Sequence, residues 1–380
     1  MTSLQNSRAQ LLQLCPALTF WEDFLLLGGL PTIQSDNRSM IARVAFSGPA
    51  RYRIRTTAVM FHSAVGVCLR RTLQGPRVPG WNWTVELTTR ALKEQLIAAF
   101  KLPEVEQARR YLDSIVFTSR SKARVTMVPM AAEGFRGTWF LPNQEEARTT
   151  LLYLHGGGYS FYPKAHANLI ALITLAANCR TFALDYRLAP EHAFPAQLED
   201  ALNAYRGLLA SGVEPGRLVV AGDSAGGNLT LALLLAARDS GLPLPALAAL
   251  ISPATDFNPP ADQGASFFAN EPFDWIAPQM LLRWADWFCP PARRRDPLVS
   301  PLYADLRGLP PMYVQAGGSE ILYDSIRAFT ESARKQGANI TVDIWPEMNH
   351  DFQMFGHRVP QSADALRKLG EVIATADSRS

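Results

Sequence analysis

Cysteine is scarce in this chain: Cys15, Cys68, Cys179 and Cys289 are the only four in 380 residues. No two form a C-x-x-C pair, which excludes a zinc ribbon or a dithiol redox motif. A chain this long needs no disulfide framework to hold its core, so thiols and a reducing, cytoplasmic setting are expected. Long apolar runs are also missing. The best candidate, AVMFHSAVGVCL (58–69), is about a dozen residues against the roughly 20 that span a bilayer. It reads as a buried or surface-lying helix, with Arg70 and Arg71 suited to its C-terminus. The opening residues, MTSLQNSRAQLLQLCPALTF, hold one Arg and a broken apolar patch, unlike a secretory signal. There is no Walker lysine, no G-x-G-x-x-G, no basic run interleaved with aromatics and no internal repeat. Nucleotide cofactors and nucleic acid are therefore not expected as partners.

What is present is an ordinary globular composition, 48% apolar and 19% charged. The formal net charge is only +3, but it is unevenly spread. Residues 1–130 hold 17 Lys and Arg against 8 Asp and Glu, a net +9; the remainder carries 20 against 26, a net −6. The basic third is read as a solvated arginine-bearing face, with peripheral contact to an anionic membrane surface, and a homodimer, left open.

Residues 1–120 look helical and irregular, with 85–100 spaced as an amphipathic helix. From about residue 121 strands and helices alternate. TTLLYL (149–154), RTFALDY (180–186), RLVVAGD (217–223), LAALIS (247–252), PMYVQAG (311–317) and ITVDIW (340–345) read as strands. This predicts an α/β fold with a mostly parallel sheet covered on both faces. The interval 253–310 is far longer than one connecting helix needs and is rich in aromatics, which predicts an inserted subdomain at about 262–292.

The chemistry concentrates in three places. GDSAGG (222–227) sits between a buried strand and a helix, the context in which G-x-S-x-G forms a nucleophile elbow presenting Ser224. A serine hydroxyl needs a base. His350, just past the strand ITVDIW and before the final helix, is the late histidine so placed; His357 lacks that strand-end position. The orienting acid is expected after PMYVQAG, where GGSEILYDS offers Glu320 and Asp324. HGGG (155–158) follows another strand. Glycines there can turn tightly and offer N–H groups to a developing oxyanion, with Gly157, Gly158 and the amide of Ala225 as donors and His155 as a loop-holding residue. Tyr159, Phe161, Phe267, Phe268, Trp275 and Trp284 suggest an apolar wall for a bulky or hydrophobic substrate.

Over about residues 145–375, HGGGYSF, DYRLAPEHAFPAQLED, GDSAGGNL, DPLVSPLYADLRGLPP and NHDF resemble the hormone-sensitive-lipase-like branch of α/β-hydrolase esterases. The resemblance implies a helical cap built from about 1–120 and 262–292 over a core of 121–380. It implies a carboxylic ester hydrolase that needs no metal or organic cofactor. It favours Glu320 over Asp324, because the family's Asp-x-Leu-x-Asp pattern reads Glu320-Ile321-Leu322-Tyr323-Asp324 here. The same site would serve acyl transfer, lactone opening or cyclisation. Receptors that resemble this family lack the histidine, which is present here.

Overall fold

The computed structural model describes residues 43–143, 147–258 and 264–378. The first 42 residues and positions 262 and 263 of the expected insertion lie outside them. The chain divides into two compact units, 1–120 and 121–380. In the first, β1 (Arg43–Phe46) pairs antiparallel with β2 (Ile115–Thr118). Between them run α1 (Ala50–Gln74), α2 (Trp83–Phe100) and α3 (Val105–Leu112). Asn82 starts α2 by accepting the Val85 N–H at 3.0 Å, satisfying one of the orphan amides of a helix N-terminus. Buried Glu86 of α2 pairs with both Arg70 and Arg71 of α1, the latter at 2.7 Å. No helix among the described residues is long and apolar enough to cross a membrane.

The second unit is built on an eight-stranded sheet of order β10-β9-β8-β7-β5-β6-β4-β3. Its strands are β3 (Val125–Ala132), β4 (Phe135–Pro142), β5 (Thr150–Leu154), β6 (Arg180–Leu184), β7 (Leu218–Asp223), β8 (Leu247–Ile251), β9 (Met312–Gly317) and β10 (Ile340–Trp345). β3 and β4 form an antiparallel hairpin, and β4 joins β6 antiparallel. All other neighbours are parallel. The central strands β5, β7 and β8 are buried at every residue, as their unbroken apolar sequences require when helices cover both faces. The connecting helices are α4 (His166–Ala177), α5 (Ala196–Ala210) and α6 (Ala225–Asp239). The long interval after β8 contains a single turn, Ser266–Ala269, and α7 (Pro278–Phe288), which buries Met280, Trp284 and Phe288. α8 (Tyr323–Lys335) and α9 (Pro360–Ala374) complete the unit. On one face, Leu169, Ile170 and Ile173 of α4 and Leu366, Leu369 and Ile373 of α9 close over Leu151, Tyr153, Val219 and Ala249.

Cys179 and Cys289 are buried free thiols. Cys68 is disulfide-bonded, which corrects the expectation of thiols throughout. Sequence spacing carries no information on which cysteines meet in space.

Because β5 is at the centre of the sheet and β3 at its edge, truncation should separate them. Leu152→Ala should cost about 2–5 kcal/mol in urea unfolding, whereas Val128→Ala, on the exposed side of β3, should stay within about 0.5 kcal/mol. Equal losses at the two positions would contradict this core placement.

Candidate active site

Ser224 occupies the turn between β7 and α6 with φ 52° and ψ −118°, a strained geometry for a residue with a Cβ. Its N–H donates to Ile251 O at 2.9 Å, and its carbonyl accepts Asn228 N–H and Ala254 N–H. The turn closes only because its glycines lack side chains. A Cβ on Gly222 would strike Gly226 O, and one on Gly226 would strike Leu154 O. The second requirement brings α6 directly onto the end of β5, where the glycine loop begins. In that loop Gly157 and Gly158 take φ 104° and 60°. Substituents there would meet Phe161 O and the Trp284 ring. The Gly157 carbonyl accepts Ser160 and Phe161 N–H groups, which fixes the turn. His155 is stacked between Tyr162 and Tyr186 at 3.6 and 4.0 Å between centroids, with Nδ1 2.7 Å from Gly156 O. Burial, then the charge of His166, lowers its pKa to about 3, so it is a neutral packing element at pH 7.

On the loop after β10, His350 is fully buried, and its Nδ1 lies 2.8 Å from Glu320 Oε2. The other Glu320 oxygen accepts Gly317 N–H at 3.0 Å. Asp324 is elsewhere: its carboxylate accepts Ser266 N–H at 2.9 Å and its own N–H donates to Ser266 Oγ at 3.0 Å, tying α8 to the insertion. The His350 loop reaches the elbow through its neighbour. Asp351 N–H donates to Ser252 Oγ at 3.2 Å, and Ser252 follows Ile251, the acceptor of Ser224 N–H. Burial opposes a charge on His350, but the Asp351 and Glu320 carboxylates outweigh it and raise the imidazole well above its ordinary range.

The aromatic candidates scatter. Trp275 Nε1 donates to His350 O at 2.6 Å. Trp284 packs against Gly158, with Phe161 edge-on to it at 6.2 Å. Tyr159 is fully buried, with its ring stacked on Phe288 at 3.8 Å and its hydroxyl on Asn228 Oδ1 at 2.6 Å, the packing of a core residue. Phe267 is buried, but Phe268 is 58% exposed.

Residues 151–354 match a family described as having the alpha/beta hydrolase fold. The chain belongs to that family. An acetyl-hydrolase of Streptomyces hygroscopicus is 41% identical over 240 residues, covering 63% of this chain and 79% of the relative. An esterase of Acinetobacter venetianus is 28% identical over 78% of this chain and 98% of its own length. Among solved structures, an esterase from the bacterial hormone-sensitive lipase family is 32% identical with a TM-score of 0.65, covering 87% of this chain and 99% of that one. EstE5, soaked with p-nitrophenyl butyrate, is 31% identical with a TM-score of 0.72 over 78% of this chain and 100% of its own. The hydrolase described here falls in the hormone-sensitive-lipase branch and is a serine-esterase-class carboxylic ester hydrolase.

Two polar residues of this hydrolase gave no signal of their own in the sequence, although Asp223 lies in GDSAGG and Asn228 directly follows it. Asp223, fully buried beside Ser224, accepts Tyr153 OH at 2.6 Å and Gly156 N–H at 2.9 Å, and lies 3.0 Å from His166 Nε2. Asn228 Nδ2 donates to Ala254 O and Val299 O at 2.7 and 2.9 Å while its oxygen holds Tyr159. Only their place beside the glycines hinted at this. Burial alone would raise Asp223, but the His166 charge and the bonds from His166 and Tyr153 hold it at about 2. Burial likewise opposes His166, yet Asp223 raises it above its ordinary 6.5. The Asp223 contribution to stability is therefore present above its ordinary 3.8 and lost as pH falls toward 2. The His166 contribution is full below 6.5 and lost as pH rises. Asp223→Asn should destabilise most near pH 5, by about 3–5 kcal/mol, with the gap narrowing toward pH 2 in urea unfolding. A gap independent of pH would contradict the buried ion pair.

Proposed function

We propose that this esterase cleaves short-chain esters, acetyl to butyryl, by a Ser224–His350–Glu320 triad. The observation that carries the reading is the fully buried 2.8 Å pair of His350 Nδ1 and Glu320 on loops joined to the Ser224 elbow. Glu320 holds the imidazole through Nδ1, which leaves Nε2 as the nitrogen that acts as the base. His350 takes the Ser224 Oγ proton as the oxygen bonds to the ester carbonyl carbon. The carbonyl oxygen becomes an oxyanion, received by the amides of Gly157, Gly158 and Ala225. Collapse breaks the bond to the alcohol, which leaves with the proton from His350. Water then releases the acyl group by the same steps in reverse. A short acyl group is supported by the acetyl-hydrolase relative and by the p-nitrophenyl butyrate used with EstE5. Trp284 and Phe161, packed at the glycine loop, favour an apolar substrate there. With p-nitrophenyl acetate and butyrate, Ser224→Ala should lower kcat by on the order of 10⁴- to 10⁶-fold. Glu320→Gln should cost about 10⁴-fold, while Asp324→Asn should stay within about tenfold, since Asp324 bonds the insertion. A larger loss at Asp324 than at Glu320 would reverse the acid assignment.

We further infer that the N-terminal unit docks on an anionic bilayer surface through α1. Ile54, Phe61, Val65, Leu69 and Leu73 recur at helical spacing and are 41–80% exposed. They form a stripe about 28 Å long at 1.5 Å per residue. α1 holds no acidic residue; Arg70 and Arg71 are taken up by Glu86 and Arg55 bonds Ala98 O, which leaves exposed Arg51 and Arg53 at its N-terminal end as the basic group. This is the make-up of a helix that lies in a lipid interface. Flotation with phosphatidylglycerol vesicles should recover the protein, phosphatidylcholine vesicles should not, and Leu69→Glu with Leu73→Glu should abolish recovery. A concentration-dependent dimer lost in that variant, with no flotation by the parent, would mean that a second copy covers the stripe.

A further inference from the structure

We propose that Asp351 is a positioning residue for His350, a second carboxylate beside Nε2 that sets the pH above which the imidazole can act as the base. The proposal rests on the triad reading above. Asp351 Oδ2 lies 3.1 Å from Nε2, on the edge of the ring opposite Glu320. The contact is close but off the hydrogen-bond axis: Nε2 has no aligned hydrogen bond among the described residues. The carboxylate thus adds negative charge at Nε2 without an aligned hydrogen bond that would occupy its lone pair. The placement is fixed by the backbone. Asp351 has φ 50° and ψ 34°, and its amide is held by Ser252 Oγ. The side chain is almost wholly buried, and Oδ1 has no hydrogen-bond partner among the described residues. A buried carboxylate that spends one oxygen on nothing is costly unless its charge is used.

Several charged groups bear on this pair. Glu320, on the loop after β9, faces Nδ1. Asp274, in the insertion, accepts Ile321 N–H at 2.8 Å and lies 3.4 Å from His350 N, and burial raises it to about 6. Asp223 at the end of β7 repels Asp351, and His166 at the start of α4 feels the charge of Asp351. Tyr153 of β5, bonded to Asp223, is raised far above its ordinary range by burial first, so it stays neutral. Asp351 itself is pushed up to about 7 by burial, against the pull of His350, so the two exchange protons as a unit. Each negative charge near His350 favours imidazolium, which cannot accept the Ser224 proton. Activity therefore appears only above a raised pKa, and removing the Asp351 charge lowers that threshold. The same charge stabilises the imidazolium that forms when Ser224 gives up its proton.

The test is the pH dependence of kcat/KM for p-nitrophenyl butyrate in wild type and Asp351→Asn. Asn is the least disruptive replacement because it tolerates the left-handed backbone. The wild-type acid limb is expected above 6.5. In the variant it should move down by about one unit or more, so that about tenfold more of the plateau value survives below the wild-type limb. An unmoved limb, with activity still dependent on Ser224, would overturn the role of Asp351 and leave the triad standing. Activity that survives Ser224→Ala would overturn the triad and this proposal with it. Should Asp351→Asn not fold, NMR titration of the His350 ring in ¹⁵N-histidine-labelled wild type gives the reference midpoint. The same titration in Asp351→Gly, which also tolerates the left-handed backbone, should give a lower midpoint than wild type, and an equal midpoint overturns the role of Asp351.

Discussion

The geometry of the site depends on one buried carboxylate. Asp223 sits at the last position of β7, next to Ser224, and takes the amide of Gly156, the hydroxyl of Tyr153 and the imidazole of His166. One residue thereby joins the serine turn, the central strand β5, the glycine loop and the start of α4. A charge without water must be surrounded by donors, so these segments cannot drift independently. The contact of Gly226 with the end of β5 supplies the matching steric constraint. The glycines following a stiff strand are held on one side by a carboxylate and on the other by Trp284.

The other half of the site is organised by acids that came from distant parts of the chain. Glu320 faces one nitrogen of His350 and Asp351 the other, while Asp274 reaches the backbone beside both. So many carboxylates around one imidazole raise its affinity for a proton. That is useful when the ring must hold a proton in transit and limiting when it must start neutral. The balance between these demands sets the working pH of such a site.

Much of this was legible in sequence, for identifiable reasons. The central strands announced themselves because strands buried on both faces are apolar throughout. The elbow and the glycine loop were legible because their backbones admit only glycine at fixed offsets, and such a requirement is written locally. Between Glu320 and Asp324 the residues alone could not choose: both are carboxylates on one short loop. The fold separates them by turning Glu320 toward His350 and Asp324 toward Ser266. The insertion's Asp274 gave no signal, because it meets His350 across 76 residues of chain. The aromatic positions were read as one apolar wall, yet Tyr159 packs as core and Phe268 is exposed, since aromatic content does not encode direction.

The central claim is that Ser224 is the one hydroxyl activated for attack on an ester. It is tested most directly by reacting the intact protein with a serine-directed phosphonate and locating the adduct by peptide mass spectrometry. The account predicts one adduct per chain, on the peptide that contains Ser224, with loss of esterase activity in step with labelling. An adduct on another residue, or full labelling with activity intact, would contradict it.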